Sequence, residues 1–137
     1  MLTQPKKTKY RKYFKPRRLP QNSTRTHDLG DKTCFALVAT ESGFLNSRQL
    51  EAARQTIRRK VKREGKLEIH VFPDIPITKK ASAARMGKGK GKVDHWIAAL
   101  SSGRTVFLLY GIDPEQGIPA LKSGANKLPL RLKIYQL

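Results

Sequence analysis

Arg85-Met86-Gly87-Lys88-Gly89-Lys90-Gly91-Lys92 is the stretch that most limits how this chain folds. Three glycines alternate with three lysines, and no acid interrupts the chain from Lys79 to Lys92. Glycine has no Cβ, so its backbone reaches conformations closed to other residues and can come close to a partner. It also loses the most entropy on ordering, so such a segment does not hold one shape by itself. It offers no core, and a rigid base elsewhere has to carry it. A thin, flexible, positive strap fits a polyanion that supplies both shape and counter-charge.

The rest of the chain points the same way. Of 137 residues, 29 are Lys or Arg and 10 are Asp or Glu, a formal net charge of +19. Self-repulsion on this scale opposes compaction. Nucleic acid is the fitting partner, because its affinity comes largely from phosphate neutralisation and counterion release. An anionic membrane is the weaker alternative, and no apolar run approaches the length that spans a bilayer. Hydrophobic residues make up 38%, enough for one small core and below the usual share of a compact enzyme. Cys34 is the sole cysteine, which excludes an intrachain disulfide and a cysteine-based zinc site. The start of the sequence lacks the apolar segment of a signal peptide, and Pro5 and Pro16 suit a transit helix poorly.

Residues 1–32 read as a basic arm. Lys6, Lys7, Lys9, Arg11, Lys12, Lys15, Arg17 and Arg18 come without an acid among them, and Tyr10, Tyr13 and Phe14 are interleaved. Cations with rings between them suit an arm that orders on RNA, the rings stacking on bases or sugars. Residues 33–137 read as a single domain. Thr33 to Thr40 predicts a strand apolar on both faces, with Ser42-Gly43 as a turn. Asn46 with Gln49 predicts a capping-box helix start. Leu50, Ala53, Ile57 and Val61 form its inner face, and Gly65 its end. Arg54, Arg58, Arg59, Lys60, Lys62 and Arg63 fill the other faces, where the expectation is a phosphate-facing surface. Lys66 to Phe72 predicts a strand ended by Pro73-Asp74-Ile75-Pro76, followed by a long loop over 77–92 that holds Lys79, Lys80 and the strap. Val93 to Tyr110 predicts a hairpin turning at Ser101-Ser102-Gly103. A short helix from Pro119 to Lys127 and a strand from Leu130 to Tyr135 complete an α+β fold, an antiparallel or mixed sheet with about two helices.

Enzyme motifs fail on inspection. Gly91-Lys92 is followed by Val93, not by the Ser or Thr of a Walker loop. Asp94 or Lys92 stands where a dinucleotide fingerprint needs glycine. His27, His70 and His95 have no metal-ligand spacing. Asp94-His95 tempts as an acid–base pair, but neighbours on a regular strand point to opposite faces and should not meet. No cofactor and no small-molecule substrate are expected.

Taken together, these motifs resemble the large-subunit ribosomal protein sixteen family. Pro5-Lys6-Lys7-Thr8-Lys9-Tyr10-Arg11-Lys12 looks like its basic N-terminus, and Arg48-Gln49-Leu50-Glu51-Ala52-Ala53-Arg54 like the start of its first helix. Val71-Phe72-Pro73-Asp74-Ile75-Pro76-Ile77-Thr78 and Arg85-Met86-Gly87-Lys88-Gly89-Lys90-Gly91 look like its signature segments, in order. The resemblance covers nearly the whole chain. It implies a structural constituent of the large ribosomal subunit, bound to large-subunit rRNA and to neighbouring ribosomal proteins. Loop and arm would approach the site where A-site tRNA is accommodated, near the peptidyl transferase centre, with a part in late assembly. The chain departs from the family pattern at Glu68, at Gly117 and Pro119, and over Leu19 to Lys32. These departures look like an organelle-encoded mitochondrial member, with a bacterial member as the alternative and a plastid one third.

Overall fold

A computed structural model describes residues 4–17, 19, 34–62 and 64–136. Its centre is β1 (Cys34–Ala39), six consecutive buried residues. β1 lies between β6 (Thr105–Tyr110) and β7 (Leu132–Gln136), and β3 (Lys66–Ile69) pairs with the far side of β6. A strand with partners on both edges and cover on both faces has no need of polar alternation, which explains the run Cys-Phe-Ala-Leu-Val-Ala. Phe35 pairs with Leu109 and Leu37 with Phe107, so large side chains meet on the face turned to the helices. Ala36 and Val38 pack with Leu108 on the opposite face.

A second sheet holds β2 (Gly43–Asn46), β5 (Lys92–Leu100) and β4 (Ile75–Lys79), with β5 in the middle. Every strand pair in both sheets is antiparallel. α1 (Ser47–Lys60) and α2 (Pro114–Ala125) pack on each other, and their apolar faces join one core with both sheets. At Gly124 a Cβ would lie 2.5 Å from Ile57 Cγ1, so the helices approach over a residue without a side chain. The α+β class is as expected, with two sheets in place of one.

Several local expectations hold and several need correcting. Asn46 caps α1, its side chain accepting from Arg48 N, while Gln49 Oε1 accepts from Asn46 N at 2.9 Å. The helix stops at Lys60, short of Gly65, because Lys62 already adopts φ 49° and breaks the helical run. Ser42-Gly43 leads into a strand. Pro73 to Pro76 does not open the long loop: Ile75–Lys79 form β4, so the loop expected from 77 begins at 80. Pro76 is tolerated because β4 is an edge strand, where a missing N–H need not break a ladder. β5 and β6 are consecutive but do not pair, each taking partners in its own sheet. The turn between them is tied to β1 instead, Gly103 N donating to Ala39 O at 2.7 Å and Ala39 N to Arg104 O at 3.0 Å. α2 starts at Pro114, whose missing N–H costs nothing in a first turn. Pro119 lies inside it, and Gly117 is buried against the Phe35 ring. No helix of the described residues is long and apolar enough to cross a membrane.

Candidate nucleic-acid interface

The strap leaves the second sheet between β4 and β5. Residues 81–90 are all exposed, and Met86 is fully so. Its root is tight: a Cβ on Gly91 would lie 2.6 Å from Lys79 O, a backbone atom that cannot yield easily. At the tip, Gly87, Lys88 and Gly89 take φ of 97°, 54° and 77°. Two of these are glycines, for which positive φ carries no steric cost, while Lys88 bears roughly 1–2 kcal/mol of strain. Lys80 Nζ donates to Gly87 O at 2.7 Å and ties the tip to the root.

The arm lies against the strap. Lys90 Nζ donates to Tyr13 O at 2.8 Å and sits 4.6 Å from the centre of the Phe14 ring. Lys12 Nζ donates to Lys90 O at 3.2 Å. Tyr13 Oη donates to Asp74 O at 2.9 Å, and Lys15 Nζ sits 4.0 Å over the Phe44 ring. Partial burial, and then the Asp74 carboxylate, push the Tyr13 phenol up, so it stays a donor. Lys6, Lys7, Lys9, Tyr10, Arg11, Lys12, Lys15 and Arg17 are exposed, and so are Lys79, Lys80, Arg85, Lys88, Lys90 and Lys92. Arm and strap thus make one cationic surface with Phe14 89% exposed and Tyr10 64% exposed. Arg18 and Arg63 lie outside the described residues.

The α1 cations form a separate group. Arg54, Arg58, Arg59 and Lys62 line a shallow hollow along the helix. Two of them are already engaged. Arg54 donates to both oxygens of Glu51, at 2.9 and 2.6 Å, and Arg58 Nη1 donates to Gly65 O at 2.9 Å. Of the cations that line the hollow, Arg59 and Lys62 are exposed, and Lys60 is exposed beside them. This grading within the helix is invisible to a count of charges.

Asp94 and His95 do meet, against expectation. Asp94 Oδ2 accepts from His95 Nδ1 at 2.8 Å. The pairing of β4 with β5 steps from Ile77–His95 to Thr78–Val93, passing over Asp94. Such a bulge re-aims the extra side chain and brings sequence neighbours together. The His95 hydrogen bond holds the Asp94 carboxyl below its ordinary range. Among the described residues, no three His, Cys, Asp or Glu side chains are grouped to hold a metal ion.

Residues 5–135 match the model of the ribosomal protein L16p/L10e family. The chain is 47% identical over 131 residues to the large ribosomal subunit protein uL16 of Blochmanniella pennsylvanica (strain BPEN), covering 96% of each sequence. With one signature segment leading into β4, the other forming the strap, and the arm laid beside it, the chain belongs to the ribosomal protein L16p/L10e family.

Proposed function

We propose that this protein is a structural constituent of the large ribosomal subunit that binds large-subunit rRNA and is not an enzyme. The observation that carries this reading is the joined arm and strap, a continuous cationic surface with exposed rings. Phosphates meet the ammonium and guanidinium groups, and unpaired bases meet Tyr10 and Phe14. The finer reading is that the strap reaches the region where A-site tRNA is accommodated near the peptidyl transferase centre, and that its seating is a late assembly step. Its support is the exposed tip, narrow at Gly87 and Gly89 and fully exposed at Met86. The departures at Glu68, Gly117 and Pro119 support a mitochondrial ribosome as its home, and the bacterial relative supports bacterial cytoplasm.

Co-sedimentation tests the reading. The protein is expected to stay with large subunits through a high-salt wash, because an integrated constituent is held by many contacts at once. Release of the whole population by the wash would mark a loose nucleic-acid binder instead. Purifying the ribosomes from separated organelles and cytosol in the same experiment decides the compartment.

A further inference from the structure

We propose that the hollow between the arm and β5 is a seat for a single extruded guanine nucleotide, with Asp94 reading the base, Trp96 stacking on it, and Lys6 and Arg11 holding its phosphates. This inference rests on the rRNA-binding reading above. The hollow has a volume of about 340 Å³ and is lined by Lys6, Thr8, Arg11, Asp94 and Trp96 among others. That is near the low end for small-ligand sites, roughly 300–1,000 Å³, so it suits one nucleotide rather than a strand.

Its chemistry is mixed in a way that bare phosphate binding does not need. Asp94 is the only acid between Lys79 and Arg104. A carboxylate beside phosphates is repulsive, so on a surface that serves only the RNA backbone it is out of place. It is useful as an acceptor of base N–H groups. An ionised carboxylate accepts at about four lone-pair positions, and His95 takes one of them. The bulge holds the group in place, and the His95 hydrogen bond fixes its orientation and keeps it ionised.

The choice of base follows from donor patterns. Guanine presents two adjacent donors, N1–H and the 2-amino group, which match the two oxygens of a carboxylate. Adenine and cytosine each present a single amino donor next to an acceptor nitrogen. Uracil flanks its one N–H with two carbonyls, which a carboxylate repels. Trp96 lies two residues along β5 and lines the same hollow. An indole is a large stacking surface, and stacking on aromatic side chains is how unpaired bases of RNA are commonly held. Thr8 adds a hydroxyl that can donate or accept, as a ribose 2′-OH requires.

The test uses the full chain and fluorescent RNA heptamers of uridine with one central guanosine, adenosine or inosine, over a range of salt. Wild type is expected to favour guanosine over adenosine by roughly 5- to 150-fold, the range of one good bidentate base contact, with inosine, which lacks the 2-amino group, in between. Asp94→Asn is expected to abolish the preference while the salt slope stays the same. Trp96→Phe, which keeps a ring and the fold, is expected to keep the preference. Equal binding of all three RNAs with a steep salt slope would overturn the guanine seat and leave rRNA binding intact. A guanosine preference that survives Asp94→Asn would also overturn it. Weak, salt-independent binding of every RNA would overturn both readings.

Discussion

Glu51 shows how one acid divides the cations around it. Its carboxylate accepts from Arg54 Nε and Nη2 and from Gln55 Nε2. The Arg54 hydrogen bond is the largest influence, and with Gln55 it outweighs desolvation to hold the Glu51 carboxyl down at about 2. A pKa depressed by folding means that the folded state favours the ionised form. The stabilisation is therefore complete above an ordinary glutamate pKa, about 4.3, and is lost as pH falls through about 2. Both side chains are partly exposed, at 24% and 32%, so solvent screening limits the pair to about 0.2–1 kcal/mol. Glu51→Gln is expected to lower stability by that amount at pH 7, measured by urea unfolding, and by much less at pH 2, where the folded carboxyl is about half protonated. RNA affinity is expected to move the other way, because the change removes a negative charge and frees the Arg54 fork for phosphate. A stability gap as large at pH 2 as at pH 7 would mean the loss comes from packing rather than from the ion pair.

At the scale of elements, the strap separates shape from charge. Gly89 holds φ 77° with open space where a side chain would stand, whereas Gly91 is held against Lys79 backbone. Lys88→Ala removes one phosphate contact and leaves the backbone alone, so the salt slope of RNA binding is expected to shrink by about one. Gly89→Val keeps every charge but places a branched side chain at positive φ, which such residues rarely adopt. The valine protein is expected to fold and bind rRNA normally, yet to slow aminoacyl-tRNA accommodation or stall late subunit assembly more than Lys88→Ala does. The reverse order in a translation assay would make the strap a charge reservoir only. What is legible from sequence here is local. The capping box at Asn46 and Gln49, the apolar face of α1 and the glycine–lysine alternation each depend on residues a few positions apart. What is not legible depends on distant partners. The Lys90–Tyr13 contact joins residues 77 positions apart. β4 hides behind Pro73 and Pro76 because sequence does not tell that it lies at a sheet edge. β5 and β6 read as a hairpin because adjacency suggests pairing, while the sheet to which each belongs is set by β1, β2, β3 and β4. The Asp94–His95 contact escapes a strand pattern because a bulge belongs to the register between two strands, which neither strand alone reveals.

Over the whole molecule, a net charge of +19 on a chain with one small core makes salt act in two opposing directions. In the free protein, added NaCl screens cation–cation repulsion, since the Debye length falls from about 30 Å at 0.01 M to about 10 Å at 0.1 M. The urea midpoint of the free protein is therefore expected to rise with NaCl. RNA binding is expected to fall over the same range, because each phosphate contact releases counterions that salt then restores. Six to ten contacts would mean a loss of roughly 10³–10⁵ in affinity between 50 and 200 mM salt. The two curves are linked through mass action: RNA free at 100 times its Kd adds about 2.7 kcal/mol to folding stability, and that increment must shrink as salt weakens Kd. Urea titrations with and without a cognate rRNA fragment at four NaCl concentrations measure both effects at once. The expected result is convergence, with the free protein gaining stability and the complex losing its advantage until the two midpoints meet. A midpoint for free protein that is flat or falling in NaCl would show that self-repulsion does not limit this fold. An RNA increment that ignores salt would show that arm, strap and α1 do not act by neutralising phosphates.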